Sequence, residues 1–256
     1  MTCLRALLLL SALMSAIQPV VTLAEETLTV AVASNFHSTA KEIATRFAAS
    51  TDVPVRLSTG STGKLYAQIV NGAPYDIYLA ADAKRPQLLE ESGDAVAGSR
   101  VTYAIGSLLL WSADPSLINQ DCRGALERGD FRKLAIANPK TAPYGRAAYE
   151  FLQQVKFPGA AESKLVYGEN ISQTLNFVAT GNATLGLIAA SQAALELPVA
   201  VTCSWPVPPE LHSDLRQQAV ILTNASNAAT ASLFMSFLQS EEVRTLLERR
   251  GYGVAD

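Results

Sequence analysis

Charged side chains are scarce in this sequence. Asp, Glu, Lys and Arg make up 17% of its 256 residues, and 20 basic against 23 acidic residues give a formal net charge of −3. Disordered chains are polar and strongly charged, so a chain that is 49% hydrophobic is not one of them. A nucleic-acid-binding protein is not expected either, because no Lys- or Arg-rich face supplies the charge that neutralises phosphates.

Long hydrophobic runs are confined to the N-terminus. Residues 1–24 combine one positive charge at Arg5, an apolar stretch over residues 6–14 and a small residue, Ala24, at the end. This combination predicts a secretory signal peptide. A membrane anchor is the alternative, but the stretch is too short to span a bilayer comfortably and Gln18-Pro19 interrupts it. We therefore expect an exported protein.

Cysteine and histidine are rare as well, with three and two residues. Such small numbers at scattered positions do not predict a zinc site. Removal of the signal peptide leaves Cys122 and Cys203, and an oxidising compartment permits a disulfide between them. Two separate thiols are the alternative, because a disulfide requires Cα atoms within about 7 Å of each other.

The rest of the chain alternates between strand and helix patterns. Strand patterns occur at residues 27–33, 53–57, 75–80, 133–137, 164–167, 185–189 and 219–222. Apolar residues at helical spacing follow most of them, and two helical patterns close the chain. The strand-helix-strand order predicts an α/β fold with parallel sheets covered by helices. The length allows one large domain or two lobes.

Small, neutral, hydrogen-bonding residues stand at four strand-to-helix junctions. The junctions are Ser34-Asn35, Ser61-Thr62-Gly63, Pro143-Tyr144-Gly145 and Asn170-Ile171-Ser172. Ligands of open α/β sheets bind at the carboxyl ends of strands, and helix starts offer free N–H groups to anions. Ser, Thr and Asn are also ordinary helix caps, so one such junction indicates capping more often than binding. Four junctions together, with Gly60 and Gly63 allowing close approach of the backbone at one of them, favour an anion site.

The loop around Ser61 does not match two catalytic motifs. A phosphate-binding P-loop needs Gly at position 58 and Ser or Thr at position 65, where this chain has Ser58 and Leu65. A nucleophile elbow needs the pattern G-x-S-x-G, which Gly60-Ser61-Thr62-Gly63 does not show. Neither motif therefore supports catalysis at this loop.

Five segments together resemble a known family. They are residues 31–36, 60–69, 71–76, 137–145 and 168–174, which follow one another over nearly the whole mature chain. In this combination they are similar to the periplasmic molybdate-binding proteins of ABC importers. The resemblance implies a two-lobed periplasmic binding fold of type II, in which each lobe is a mostly parallel sheet flanked by helices and the oxyanion lies between the lobes. We expect residues 25–104 and 219–256 in lobe I and residues 105–218 in lobe II.

The resemblance also implies which residues bind the oxyanion. They are Ser34, Asn35, Ser61, Thr62, Tyr144, Asn170 and Ile171. Tyr144 would give a hydroxyl or a backbone donor, and Ile171 a backbone N–H. Some family members have a tyrosine that contacts the anion where this chain has Ala189, and we expect Tyr144 to compensate for it, because other members have Ala at that earlier position.

The matched loops contain neither Arg nor a carboxylate, so neutral donors are expected to hold the anion. Hydrogen bonds to a charged group contribute about 1.5–3 kcal/mol each, and roughly six or seven of them suffice for micromolar binding, which needs about −8 kcal/mol. A pocket without acceptors disfavours protonated phosphate and arsenate. Tungstate is nearly isosteric with molybdate and is expected to bind too.

We expect a monomer that delivers the anion to a membrane ABC permease, without catalysis and without a cofactor. One alternative is a binding protein for sulfate or another tetrahedral oxyanion, because only the size of the pocket rejects sulfate. A remote alternative is an exported hydrolase with Ser34 or Ser61 as nucleophile, for which His37 and His212 are the available histidine bases. An iron(III) carrier would need several Tyr, His or carboxylate ligands, and the matched loops offer one Tyr.

Overall fold

The computed structural model describes residues 27–254, except for residues 119, 156, 158 and 195–198. The predicted signal peptide, residues 1–24, lies outside the described residues. Within them, no helix combines the length and the hydrophobicity that a bilayer-spanning segment needs.

The described chain alternates between strands and helices. The strands are β1 (Leu28–Ala33), β2 (Val55–Gly60), β3 (Ile77–Ala80), β4 (Val101–Ile105), β5 (Leu108–Ser112), β6 (Leu134–Ala137), β7 (Leu165–Gly168), β8 (Leu185–Ala189), β9 (Cys203–Pro206) and β10 (Arg216–Ile221). The helices are α1 (His37–Thr51), α2 (Thr62–Val70), α3 (Lys84–Ser92), α4 (Cys122–Arg128), α5 (Pro143–Gln154), α6 (Ile171–Ala179), α7 (Ala190–Ala193), α8 (Ala228–Leu238) and α9 (Glu241–Arg249).

The strands form two sheets of five. The first sheet has the order β2-β1-β3-β10-β4, and the second has the order β7-β6-β8-β5-β9. In the first sheet β10 runs antiparallel to β3 and β4, and in the second β5 runs antiparallel to β8 and β9. The remaining pairs are parallel. Four strands of each sheet therefore share one direction, which confirms the predicted α/β fold with two mostly parallel sheets flanked by helices.

Each sheet is the centre of one lobe with its own hydrophobic core. We call the lobe of the first sheet lobe I and that of the second lobe II. Helix α1 faces the core of lobe I with residues at helical spacing, such as Ala40, Ile43 and Phe47. In lobe II, α5 buries Phe151 in the same way. Each large apolar side chain that is fully buried contributes about 1.5–3 kcal/mol to stability.

Two adjacent extended segments connect the lobes. The first runs through Gly106 between β4 and β5, and the second enters the first sheet at Arg216, the start of β10. They are joined where the Gly106 N–H donates to the Leu215 carbonyl at 3.0 Å. From the sequence we expect the chain to return to lobe I at Gln218-Ala219. In the structure this point lies inside β10, because Arg216 and Gln217 already pair with β4 in the first sheet.

A disulfide joins Cys122 at the start of α4 to Cys203 at the start of β9, with the Cα atoms 5.6 Å apart. Of the two arrangements that the sequence leaves open, the structure therefore has the bridged one. Both cysteines lie in the core of lobe II. The bond ties an edge strand to a helix 81 residues earlier in the chain.

Six of the strands and α-helices given above have no counterpart among the sequence-based predictions, namely α3, α4, α7, β4, β5 and β9. For residues 204–209 we predict only a proline-rich connection, whereas β9 begins at Cys203 and ends at Pro206. This strand lies at the edge of its sheet and pairs with β5 alone. Proline is tolerated there because an edge strand has one side without ladder hydrogen bonds.

Candidate functional site

A small cavity lies between the lobes, where strands end and helices begin. It is lined by Ala33, Ser34, Asn35, Ser61, Thr62, Ala81, Ala142, Pro143, Tyr144 and Ile171. Six of the seven residues predicted from the sequence are among them, and Asn170 is the exception. Of the side chains that the structure describes, none that lines this cavity is charged.

Ser61 and Thr62 bring two buried hydroxyls to the cavity. β2 ends at Gly60 and α2 begins at Thr62, so that Ser61 is the N-cap residue of the helix. The Ser61 hydroxyl is buried and makes no hydrogen bond with any described residue. The Thr62 hydroxyl accepts a bond from the Ala81 N–H at 3.2 Å, so its own proton stays free for donation. A buried hydroxyl without a partner is costly, and an acceptor bound in the cavity would remove that cost.

Ser34 and Asn35 begin the helical segment after β1. A 3-10 turn over Ser34–Phe36 leads directly into α1, and both residues are buried. The Asn35 side chain donates from Nδ2 to Gln217 Oε1 at 2.8 Å and to the Tyr252 hydroxyl at 3.4 Å. Since its amide hydrogens are used by these neighbours, the backbone N–H of Asn35 is the donor that this residue can offer to a ligand.

Tyr144 lines the cavity from lobe II. It is the second residue of α5, after Pro143, which has no N–H, so the Tyr144 N–H is the first donor at this helix start. The hydroxyl accepts a bond from Gln217 Nε2 at 3.3 Å. Burial raises the pKa of Tyr144 well above its ordinary value, so the hydroxyl stays protonated and remains a donor at neutral pH.

The Asn170 side chain caps α6 instead of lining the cavity. Its Oδ1 accepts from the Gln173 N–H at 3.0 Å, and Gln173 Oε1 accepts from the Glu169 N–H at 2.6 Å. The capping role expected from the sequence is therefore present, whereas the side chain expected at the ligand is not in the lining. Ile171 is the first residue of α6 and lines the cavity, and the N–H groups of a helix start have no partner within the helix.

Three contacts between the lobes surround the cavity. The Gly63 N–H donates to the Thr141 carbonyl at 2.8 Å, and the Ser172 hydroxyl donates to the Ser34 carbonyl at 3.1 Å. Lys64 and Glu169 form an exposed ion pair next to them. A Cβ atom at position 63 would lie 2.9 Å from the Thr141 carbonyl oxygen, so only glycine allows this approach without a shift.

A larger groove of about 780 Å³ lies beside the cavity and differs from it in charge. Its lining includes the basic residues Lys84, Arg85, Lys140, Arg146 and Arg216. Three of them are paired with carboxylates, because Arg85 contacts Asp82, Arg146 contacts Glu150 and Arg216 contacts Asp214. All four predicted strand-to-helix junctions contribute residues to the small cavity, whereas only Gly63 and Pro143 of these junctions line the groove, so the small cavity is the candidate site.

Sequence reasoning missed the residues that support the cavity from behind. Ala81 and Ala142 contribute to the lining without a polar side chain that would have marked them. Gln217 and Tyr252 hold Asn35 from positions 182 and 217 residues away in the chain. The one available signal is the Gln217-Gln218 pair, which directly precedes the apolar part of β10.

The donors around the cavity suit a small anion. N–H groups at helix starts carry partial positive charge, and the hydroxyls of Ser61, Thr62 and Tyr144 can each donate one proton. Helix starts of both lobes contribute to the lining, so an anion in the cavity would be contacted from two sides.

Comparison with known proteins identifies a family and two similar relatives. Residues 28–253 match the family described as bacterial extracellular solute-binding protein. The chain is 44% identical over 225 residues to the molybdate-binding protein ModA of Azotobacter vinelandii, covering 88% of this chain and 89% of that protein. It is 42% identical over 222 residues to the protein of the same name from Rhodobacter capsulatus, covering 87% and 86%.

The fold is similar to solved structures as well. The structure of the Azotobacter vinelandii periplasmic molybdate-binding protein superposes with a TM-score of 0.82 at 37% sequence identity. The superposition covers 90% of this chain and all of that chain.

Proposed function

Because the chain belongs to the bacterial extracellular solute-binding proteins, we propose that it binds molybdate outside the cytoplasm and passes it to an ABC permease in the membrane. The names of the two relatives at 44% and 42% identity support this choice of ligand. In this proposal the protein is a monomeric periplasmic carrier that performs no catalysis and needs no cofactor.

The observation that carries the proposal is the convergence of uncharged donors from both lobes on one cavity. Ser61 and Thr62 come from lobe I, and Tyr144 comes from lobe II. Molybdate is a tetrahedral dianion with four acceptor oxygens and no proton, so every contact that it accepts must come from a donor. The unpartnered Ser61 hydroxyl is a donor of this kind.

Hydrogen bonds from neutral donors can supply enough free energy to bind the anion. Roughly six hydrogen bonds to a charged ligand, at about 1.5–3 kcal/mol each, sum to about 9–18 kcal/mol. Micromolar binding needs about −8 kcal/mol net, and the freedom lost on association costs about 4 kcal/mol or more. About 5–14 kcal/mol remains after that cost, a range that includes the value for micromolar binding without a cationic side chain.

The same donors discriminate between anions by protonation. Phosphate and arsenate carry a proton at neutral pH, and that O–H would lack an acceptor among hydroxyls and N–H groups that all donate. Tungstate has the charge and shape of molybdate and binds in this proposal. Sulfate carries no proton, so its rejection depends on its smaller size alone.

The positions of the two histidines support a binding role without catalysis. His37 Nδ1 is hydrogen-bonded to the Thr59 hydroxyl at 2.7 Å, and His212 Nδ1 contacts the Ser213 carbonyl oxygen at 2.8 Å. Neither histidine lines the cavity with Ser34 and Ser61. A serine nucleophile would need a base within hydrogen-bonding distance, so the hydrolase alternative has no support here.

Calorimetric titration of the mature chain with molybdate tests the proposal. At a free concentration one hundred times the Kd, bound ligand stabilises the fold by about 2.7 kcal/mol, which raises the Tm by about 5–11 °C for a protein of this size. The absence of both heat and a thermal shift would reject molybdate as the ligand. Sulfate that displaces molybdate at equal concentration would favour the alternative of a general tetrahedral-oxyanion carrier.

A further inference from the structure

A buried amide lies directly behind the cavity. Gln217 is the second residue of β10 and is 0% exposed, at the point where the chain returns to lobe I. Its Oε1 accepts from Asn35 Nδ2 at 2.8 Å, and its Nε2 donates to the Tyr144 hydroxyl at 3.3 Å. Gln217 thus joins a cavity residue of lobe I to a cavity residue of lobe II.

The bonds of Gln217 have a fixed direction. Oε1 accepts from Asn35 and also lies 3.2 Å from the Tyr103 hydroxyl, whose single hydrogen it shares with the Ala80 carbonyl at 3.1 Å, and the nitrogen end of the amide faces Tyr144. The Tyr144 hydroxyl accepts this N–H with its oxygen, which leaves its own hydrogen to point away from Gln217. A proton-free dianion needs that hydrogen, because a hydroxyl turned the other way would present a lone pair.

The contact between Gln217 and Tyr144 is packed against the segment that joins the lobes. A Cβ atom at Gly106 would overlap the Tyr144 hydroxyl and lie 2.9 Å from Gln217 Nε2. The Gly106 N–H in turn donates to the Leu215 carbonyl at 3.0 Å. The pair is therefore held at the place where the chain passes from one lobe to the other.

We propose that Gln217 is a positioning residue that directs the Tyr144 hydroxyl hydrogen toward the anion and couples this donor to Asn35 in the opposite lobe. The inference rests on the proposed function. It accounts for an amide at a fully buried position: a carboxylate cannot donate to Tyr144, and a hydrocarbon chain satisfies neither Asn35 nor Tyr144.

Two substitutions test the inference by titration with molybdate. Gln217→Glu leaves an acceptor facing Tyr144, so the hydroxyl turns its hydrogen to the carboxylate, and we expect the affinity to fall by more than about tenfold. Gln217→Met keeps the side-chain volume and removes the N–H that orients the Tyr144 hydroxyl. We expect its molybdate affinity to fall by about fivefold to tenfold.

Gln218→Glu is the matched control. It places the same charge one residue further along β10, where the side chain contacts Thr102 and Arg100 and neither cavity residue. We expect its molybdate affinity to stay within about twofold of wild type. Thermal unfolding of each ligand-free variant separates loss of fold from loss of binding.

The Tyr144→Phe background separates positioning from a merely structural role. If Gln217 acts through the Tyr144 hydroxyl, Gln217→Met costs less than about twofold in molybdate affinity once that hydroxyl is gone. A cost that stays undiminished in this background overturns the inference, and so does wild-type affinity in both Gln217 variants. A wild-type chain that binds neither molybdate nor sulfate overturns the proposed function together with the inference, whereas wild-type binding with unaffected variants overturns the inference alone.

Discussion

The Ser61 hydroxyl allows a test in which stability and binding change in opposite directions. Ser61 is 3% exposed, and its hydroxyl lacks a hydrogen-bond partner among the described residues. The substitution Ser61→Ala therefore removes no hydrogen bond from the ligand-free protein. It removes one donor from the proposed anion site.

The expected changes in stability and affinity follow from the role of the Ser61 hydroxyl in the ligand-free protein and in the complex. A buried, unsatisfied polar group costs about 1–3 kcal/mol, so its removal leaves the ligand-free protein as stable as wild type or more stable by up to that amount. In the complex, one hydrogen bond to a charged group is lost, worth about 1.5–3 kcal/mol, which corresponds to a Kd raised by about 10- to 150-fold.

Ser112→Ala is the matched control. Ser112 is 0% exposed and donates to the Thr184 carbonyl at 2.6 Å within lobe II, away from the cavity. Its removal leaves a buried carbonyl without a donor, so we expect a loss of about 1–3 kcal/mol in the free energy of unfolding. The molybdate affinity of this variant should equal that of wild type.

Urea denaturation without ligand and calorimetric titration with molybdate measure the two quantities for both variants. A Ser61→Ala chain that is destabilised as much as Ser112→Ala would show that the hydroxyl has a structural partner in solution. A Ser61→Ala chain that binds molybdate as tightly as wild type would remove Ser61 from the site.

Three further predictions follow from other contacts. Replacing Cys122 and Cys203 by Ser should lower the free energy of unfolding by about 2–4 kcal/mol in urea denaturation, with unchanged molybdate affinity, and thiol titration of the untreated mature chain should find no free thiol. Gly63→Ala should weaken molybdate binding about tenfold or more by titration, because its Cβ would lie 2.9 Å from the Thr141 carbonyl oxygen, whereas Gly159→Ala, with nothing within 4 Å, should have no effect. Burial raises the pKa of Tyr78, Tyr103 and Tyr144 well above the ordinary value and that of Tyr252 to about 12. Since the unfolded chain loses these protons first, near about pH 10, the free energy of unfolding in urea should be constant just below that pH and fall as the pH rises toward 12; a flat profile would contradict this.

The parts of the fold that the sequence predicted are those with local signals. Strands β1, β6 and β7 are followed by polar junctions and then by amphipathic or capped helices, so their type and position can be read directly. β5 is not predicted because all five of its residues are buried and the first four are apolar, and such a short run does not distinguish a strand from a buried helix turn. α3 carries Pro86 in its first turn, which is tolerated in the structure but interrupts the pattern in the sequence.

In the candidate site, too, residues with a local sequence signal are predicted and contacts between distant residues are not. Ser34, Ser61, Thr62 and Ile171 stand at helix starts, whose capping signals are local, and the structure brings them together. The Asn170 side chain caps a helix and the Asn35 side chain binds Gln217. Which of these roles an asparagine takes depends on the partner that the fold places next to its amide. Gln217 lies 182 residues from Asn35 and 73 from Tyr144, so no local pattern predicts this contact. The family resemblance is confirmed by the relatives, but it does not extend to these supporting bonds.

A site made of neutral donors has a consequence for how binding and closure are linked. One lobe alone offers roughly three hydrogen bonds to the anion, worth about 4.5–9 kcal/mol, so at most about 5 kcal/mol remains after an association cost of about 4 kcal/mol, which is less than micromolar binding needs. A single arginine in one lobe would let that lobe hold the anion without its partner. With neutral donors the second lobe is needed, and in this structure the contacts of Gly63 with Thr141 and of Ser172 with Ser34 hold the two lobes together around the cavity. Because the described lining contains no cationic side chain, we expect tight binding to require the donors of both lobes, so that separation of the lobes would release the anion.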